Sequence, residues 1–284
     1  MPASGFPFDA VAAAITGAAS GIGRALALEL AARGCDLALA DVDPQALDVV
    51  AAQVRERYRR QVFAQQVDVS QRPQIEAFAL AAQQQLPHLA ILINNAGVAL
   101  QGDFSEVEPA QIEWLMGVNF WGVVYGTHAF LPLLARRPLA HIVNLSSIFG
   151  VIAPPGNVAY CASKFAVRGF SESLRHELQA RRSPVRLSVV HPGGVRTDIV
   201  RHSQRGAHVQ NTRERERVID SFDRMARTSA EAAAHRIVRG IERNEPRVLI
   251  GTDARLMDWV QRLRPARYWE LLEAIGRRLT RARP

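Results

Sequence analysis

Only two of the 284 residues are cysteine, Cys35 and Cys161, and only one is lysine, Lys164. Two cysteines are too few for a disulfide framework, and no Cys/His cluster has the spacing of zinc ligands, so no metal is expected. No apolar run approaches the ~20 residues that span a bilayer. Met1 to Asp9 lack the basic head and apolar stretch of a signal peptide and lead straight into a strand-like run. These absences predict a soluble, reduced, cytoplasmic protein. Internal repeats, low-complexity tracts and Pro/Ser-rich linkers are missing too, which favours one domain. Hydrophobic residues at 48% against 22% charged are enough to bury a core.

The charge is unevenly spread. Residues 1–200 carry 16 basic and 16 acidic side chains, and residues 201–284 carry 19 and 11, which is the whole net charge of +8. Of the 35 basic residues all but Lys164 are arginine. A GC-rich coding bias accounts for such a replacement wherever either residue serves. The surviving lysine then marks a position where a compact ammonium does what a planar guanidinium cannot.

Short apolar runs alternate with helical patterns. Val11–Ile15, Leu37–Ala40, Val62–Val67, Ala90–Ile93, His141–Leu145, Val185–Val190 and Arg247–Ile250 read as strands. Helical patterns follow Gly23, run from Pro44 to about Arg60 and over Pro73–Gln85, form one long helix around Glu108–Ala135, and resume over Tyr160–Arg181. Strands without period-two alternation, separated by helices, predict an α/β fold with a parallel, doubly wound sheet covered on both faces.

Gly17, Gly21 and Gly23 lie between the first strand and the first helix. Glycines there permit a tight turn, let backbone N–H groups approach a pyrophosphate and let the helix pack close to the sheet. Asp41 ends the second strand 18 residues after Gly23, near the ~20 expected for a carboxylate that takes the adenosine ribose hydroxyls. Such a carboxylate repels a 2′-phosphate, and Ala19, Ser20 and Val42 offer no cation to attract one. NAD is therefore favoured over NADP, with Arg24 the nearest argument the other way.

Tyr160 and Lys164 are four apart at the start of a helix and so share a face. A phenol ordinarily titrates near ~10, and an ammonium beside it is expected to pull that value toward neutrality, where general acid–base chemistry works best. Ser147, thirteen residues before Tyr160 at a strand end, carries a hydroxyl suited to hold the oxygen of an alcohol or carbonyl. His191 and Cys161 read as packing residues. A serine hydrolase would need a Gly-x-Ser-x-Gly elbow, which is absent.

With these residues in place the chain resembles the short-chain dehydrogenase/reductases over roughly residues 9–252. Thr16-Gly17-x-x-x-Gly21-Ile22-Gly23 is similar to that family's cofactor turn, in which Ser20 also takes part. Asp68-Val69 resembles its adenine-contacting pair, and Asn94-Asn95-Ala96-Gly97 the motif that steadies its central sheet. Asn119 matches the asparagine that completes a catalytic tetrad with Ser147, Tyr160 and Lys164, where it supports a water relay. Asn119 read by itself is equally a buried polar group at a helix kink. Pro192-Gly193-Gly194-Val195-Arg196-Thr197 resembles the stretch that contacts the nicotinamide. The resemblance implies a Rossmann-type sheet of about seven strands, a catalytic domain over residues 1–252, and a homodimer or homotetramer. It also implies hydride transfer between NAD(H) and an alcohol or ketone, with Tyr160 and Lys164 touching both substrate chemistry and cofactor.

Ile148, Phe149, Val151 and Ile152 make an apolar surround that suits a hydrophobic secondary alcohol or ketone. Val218, Phe222 and Met225 form a helical stripe, either a lid over that surround or ordinary packing. Residues 253–284 read as a basic amphipathic helical extension, with eight arginines against three acids from residue 255 onward. Three roles stay open for it: packing across a subunit interface or the active site, weak attachment to an anionic membrane surface, or a solvated end. No nucleic-acid motif accompanies its charge. Two rivals to the NAD-dependent reading also stand. One is an NADPH-dependent carbonyl reductase; the other is a non-catalytic nucleotide sensor or scaffold acting through the tail.

Overall fold

The computed structural model describes residues 6–197, 203–205 and 226–281. Seven strands form one sheet: β1 (Ala12–Thr16), β2 (Asp36–Asp41), β3 (Val62–Gln66), β4 (Leu89–Asn94), β5 (Ala140–Leu145), β6 (Val185–Pro192) and β7 (Arg247–Ile250). Their spatial order is 3-2-1-4-5-6-7, and every neighbouring pair is parallel. Parallel strands need crossovers, and helices supply them on both faces. On one face α1 (Gly21–Ala32), α2 (Pro44–Tyr58) and α7 (Ala230–Glu242) bury Leu26, Leu30, Val50 and Ile237 against Ile15, Leu39 and Ile93. On the other, α3 (Arg72–Gln85), α5 (Gly122–Leu134) and α6 (Val158–Ala180) bury Phe78, Phe130 and Leu178 against Leu92 and Ile142. The strand order reverses between β1 and β4, so a crevice opens at their carboxyl ends, where open α/β sheets bind ligands.

Local chemistry sets several boundaries. Asp43 caps α2 by accepting from Ala46 N at 3.0 Å, and Pro44 occupies the first turn, where its missing N–H costs nothing. That helix stops at Tyr58, not at Arg60, because Arg59 turns to the left-handed region at φ 54°.

The single long helix expected over Glu108–Ala135 is three pieces. These are α4 (Pro109–Met116), a π turn over Gly117–Trp121, and α5. Helical periodicity survives through all three, so Asn119, read as a buried polar group at a helix kink, is the one sign of the break in the sequence. The wider turn brings Asn119 inward, fully buried, where its amide meets the backbone of Val98.

A polar chain crosses the sheet near the carboxyl ends of β4 and β5. Asn94 Nδ2 donates to Asn144 Oδ1 at 2.8 Å and to Thr127 Oγ1 at 3.1 Å, and Asn144 Nδ2 donates to Ser171 Oγ at 2.9 Å. These groups are buried, so their mutual satisfaction matters more than in water.

After β7 the chain continues into α8 (Thr252–Leu263) and α9 (Tyr268–Arg281). Buried Asp258 accepts from Arg247 at 2.7 Å and from Arg262 at 3.1 Å, which fastens α8 to β7. No helix among the described residues is long and apolar enough to cross a membrane. The Val218, Phe222 and Met225 stripe lies outside the described residues.

Candidate active site

The first crossover builds a cradle out of backbone. Gly17 has φ +65°, and a Cβ there would stand 2.7 Å from Ala96 Cα. A Cβ on Gly23 would drive into Gly17 O, so α1 meets the turn only through glycine. Asn95 braces the turn from β4: its Nδ2 donates to Thr16 O at 3.0 Å and to Gly17 O at 2.9 Å. Thr16 Oγ1 accepts from Asn95 N at 3.1 Å and from Ala96 N at 3.2 Å. The Ser20 side chain does not cap α1, so among the described residues the N–H groups of Gly21, Ile22 and Gly23 have no N-cap side chain on them. An uncapped helix start over a glycine turn fits a pyrophosphate. Thr197 lies across from it, with Cγ2 3.2 Å from where a Cβ on Gly21 would be.

Asp41 stands at the end of β2 beside this cradle. Its Oδ2 accepts from Ala19 N at 2.9 Å and its Oδ1 from Asp43 N at 3.1 Å. Two oxygens with about four acceptor positions leave capacity for ribose hydroxyls. Arg24, the nearest argument for a 2′-phosphate, is turned toward α2 and donates to Gln53 Oε1 at 3.1 Å. On the next loop Asp68 Oδ1 accepts from Ser70 N and Ser70 Oγ, and Val69 is buried in the core behind it.

Across the crevice the arrangement is made of side chains. Ser147 follows β5 and its Oγ accepts from Phe149 N at 3.1 Å. Tyr160, on the first turn of α6, is held edge-to-face by Phe149, with ring centroids 6.0 Å apart. Lys164, one turn on, is buried; its Nζ donates to Leu145 O at 3.2 Å and lies 5.6 Å from the centre of the Tyr160 ring. Asn119 Nδ2 donates to Val98 O at 2.9 Å and to Ser163 Oγ at 3.2 Å, while Ser163 Oγ donates to Tyr160 O at 2.8 Å. Gly97 faces both groups: a Cβ there would be 3.3 Å from Asn119 Oδ1 and 3.5 Å from Lys164 Nζ.

The expected neutral-range phenol is absent from the free protein. Burial pushes Tyr160 up to about 12, and the hydrogen bond with Ser147 only partly offsets that. Burial also pulls Lys164 down to about 8. The ammonium sits over the ring and bonds a carbonyl, so it does not offset the burial of the phenol oxygen.

His191 is buried, and its Nδ1 donates to Ser147 O at 2.9 Å; burial lowers it to about 4. That is a packing role which also steadies the serine backbone. Cys161 is buried beside Tyr160, and burial raises its thiol to about 11, so it is unreactive.

This parallel sheet of seven strands, with its glycine cradle and Ser147, Tyr160 and Lys164 across one crevice, has close counterparts among known proteins. The family model described as short chain dehydrogenase matches residues 11–208. The chain belongs to the short-chain dehydrogenase family. SadH of Mycobacterium tuberculosis, named as an oxidoreductase, is 41% identical over 268 residues, 94% of this chain and 95% of that protein. Estradiol 17-beta-dehydrogenase 11 of Mus musculus is 30% identical over 260 residues, 91% of this chain and 81% of its own. A family member from Burkholderia phymatum, solved in complex with NAD, matches at TM-score 0.84 and 32% identity, covering 91% of this chain and 95% of its own. One from Sphingobium yanoikuyae, in complex with NADPH, matches at TM-score 0.71 and 25% identity over 96% of both chains. This short-chain dehydrogenase is accordingly an oxidoreductase acting on CH–OH groups with a nicotinamide nucleotide.

One residue at the crevice escaped the sequence reading. Gly194 N donates to Asp253 Oδ2 at 2.7 Å, and a Cβ on Gly193 would collide with the same carboxylate. Asp253, in the first turn of α8, thereby holds the Pro192–Thr197 stretch from outside. The ends of that stretch pair with the segment before α7: Val195 bridges Thr228, and Arg196 N donates to Thr228 O at 2.9 Å.

Beyond Ser147, Ile148, Val151 and Ile152 pack with Ala254, Met257, Tyr268 and Leu272 of the two last helices. Tyr268 Oη accepts from Ala153 N at 2.9 Å.

Proposed function

We propose that this enzyme interconverts a hydrophobic secondary alcohol and its ketone with NAD(H) as the preferred cofactor. The convergence of Ser147, Tyr160 and Lys164 at the mouth of the crevice carries the reaction. When bound, the nicotinamide supplies or accepts the hydride. Thr16, Gly17, Ser20, Gly21, Ile22 and Gly23 would hold the pyrophosphate side, and Asp68 and Val69 the adenine. Asn95, Ala96, Gly97, Pro192, Gly193, Val195 and Thr197 would line the nicotinamide side, with Asp41 on the ribose.

In oxidation Tyr160 Oη takes the hydroxyl proton while Ser147 Oγ donates to the substrate oxygen. Burial makes it costly to ionise the phenol or to keep the ammonium charged when each acts by itself. An ammonium brought to the phenol oxygen would favour the phenolate, an effect absent while Lys164 Nζ lies over the ring and donates to Leu145 O. Lys164 favours the deprotonated tyrosine when the pair is assembled, and Asn119, within reach of the strip at Gly97, orders the path by which its proton leaves. The alternative in which Asn119 only satisfies the helix kink predicts no change in the pH profile when it is replaced.

Cofactor choice rests on Asp41, since family structures hold either NAD or NADPH. A carboxylate with spare acceptor capacity and no neighbouring free cation favours two ribose hydroxyls over a phosphate. Phe149, set edge-on to Tyr160, gives the site an apolar neighbour that suits a hydrophobic substrate, and a relative named for estradiol supports the same substrate class. Trp121, which ends the π turn and stacks on Tyr125 of α5, and Phe165 of α6 are exposed, which suits a homodimer or homotetramer built through that face. In this reading residues 1–252 are the catalytic domain of a cytoplasmic enzyme, residues 253–284 are its extension, and nucleic acid is not a partner.

Thermal unfolding with NADH and NADPH, on wild type and Asp41→Ala, tests the reading. A cofactor at 100 times its dissociation constant stabilises the fold by about 2.7 kcal/mol. A shift with NADH that Asp41→Ala abolishes is expected. A shift with NADPH alone would overturn the cofactor choice, and none with either would revive the scaffold.

A further inference from the structure

The outer face of α7 and α8 carries a cluster of basic side chains that is only partly balanced. His235, Arg236, Arg239, Arg243 and Arg255 line an open cleft of about 240 Å³ between the two helices. Arg236 is paired with Glu245 and His235 with Glu29. Arg239, Arg243 and Arg255 are exposed, and no carboxylate among the described residues pairs with them. Three guanidinium groups converging on one cleft repel each other unless an anion enters it.

A second observation lies on the same helix face. Leu256, Trp259 and Leu263 follow one another at i, i+3 and i+7 along α8 and are 47%, 60% and 59% exposed. Arg255 is one turn before Trp259, so the apolar stripe borders the basic cleft. The opposite side of α8 is used up: Ala254 and Met257 pack against Ile148, Val151 and Ile152, and Asp258 is spent on Arg247 and Arg262. The stripe therefore has no apolar partner among the described residues.

We propose that this face docks on an anionic phospholipid surface, with lipid phosphates in the Arg239–Arg243–Arg255 cleft and Leu256, Trp259 and Leu263 in the headgroup layer. Charge complementarity selects this occupant. A second copy meeting the face about a two-fold axis would set arginines against arginines, and a free phosphate would leave the apolar stripe in water. A surface helix that pairs apolar side chains with bordering arginines has what interfacial binding needs. Docking there is independent of the oxidoreductase reading, because no residue assigned to the crevice takes part.

Co-sedimentation of the full chain with vesicles tests the proposal. Phosphatidylcholine vesicles containing phosphatidylglycerol are expected to bind it, and pure phosphatidylcholine vesicles to bind it weakly. Replacing all three arginines (R239A, R243A, R255A) should lower affinity on the order of 100-fold, at roughly fivefold per arginine. Trp259→Ala should weaken binding at low and high salt alike, whereas the arginine effect should fade as salt rises. The NADH-dependent thermal shift serves as a folding control, because these exposed side chains lie outside the crevice.

Equal binding to neutral and anionic vesicles, or to neither, would overturn the proposal. Inorganic phosphate that stabilises wild type but not the triple variant, without vesicle binding, would assign the cleft to a soluble anion and overturn it equally. Self-association lost in the triple variant would assign the face to a second copy.

Discussion

The two sides of the crevice are made in different ways. The β1–α1 side is backbone: a glycine turn, the start of α1 without a cap from Ser20, and a brace from Asn95. The opposite side, proposed as the catalytic one, is three side chains, Ser147, Tyr160 and Lys164, each held by a neighbour's backbone or ring. A backbone cradle depends on the absence of atoms, so adding a methyl group destroys it. A side-chain site depends on chemical groups, so an isosteric replacement removes function while leaving shape.

The largest expected effect follows from that contrast. Tyr160→Phe should lower kcat by about 10²–10⁴-fold, the range of general acid–base catalysis, while leaving NADH affinity intact. Steady-state rates with a hydrophobic alcohol, together with NADH titration, check both halves. Loss of affinity along with rate would make the two sides one unit. Gly23→Ala should do the reverse, removing the NADH-induced thermal shift, because its Cβ would collide with Gly17 O. Retained binding would show that the cradle yields.

Acid should act on the side-chain-built half and the sheet beneath it. Burial holds His191 at about 4 and His141 at about 3, against an ordinary value of 6.5. The unfolded chain protonates first, so stability is fully present above pH 6.5 and falls as pH drops through that value. The loss is about 1.4 kcal/mol per pH unit for each histidine. Urea midpoints at pH 7.5 and pH 5 measure it, and a flat profile would mean that the histidines find solvent. The smallest effect concerns Asp253. Truncation to Ala should cost about 1.5–3 kcal/mol in loop stability and weaken NADH binding severalfold, with recovery in Asp253→Asn. An Ala variant with wild-type affinity would place the Pro192–Thr197 stretch outside the cofactor site.

Sequence legibility tracked the distance over which each feature is encoded. The glycine cradle, the Tyr160–Lys164 pair and the strand ends were readable because each is a pattern within a few residues. The seven strands and their parallel order followed from apolar runs alternating with helices and from the family resemblance. The break at Asn119 was legible only as one alternative, a buried polar group at a helix kink, because helical periodicity continues through the π turn. Asp253 was hidden because it acts on Gly194, 59 residues away, and Tyr268 because it reaches Ala153 across 115 residues. Nothing near either residue hints at its partner. The phenol's rise to about 12 could not be read either, since burial belongs to the fold and not to the Tyr-x-x-x-Lys spacing.

Strands β4 and β5 are lined with leucine, isoleucine and valine, which bury equally well if one strand slides along the other. Asn94 and Asn144 do not have that freedom: they face each other in the register Ile91↔His141 to Asn94↔Asn144, and their amides meet only there. A slip of one residue would move β5 by about 3.3 Å and break the buried bond between the two amides. Asn95 to Gly97 leave the end of β4 and Ser147 leaves the end of β5, so the same slip would carry the serine hydroxyl past the reach of a hydrogen bond from the other side. The asparagine pair works as a vernier: it fixes the relative height of the two halves of the crevice one step below the residues that build them.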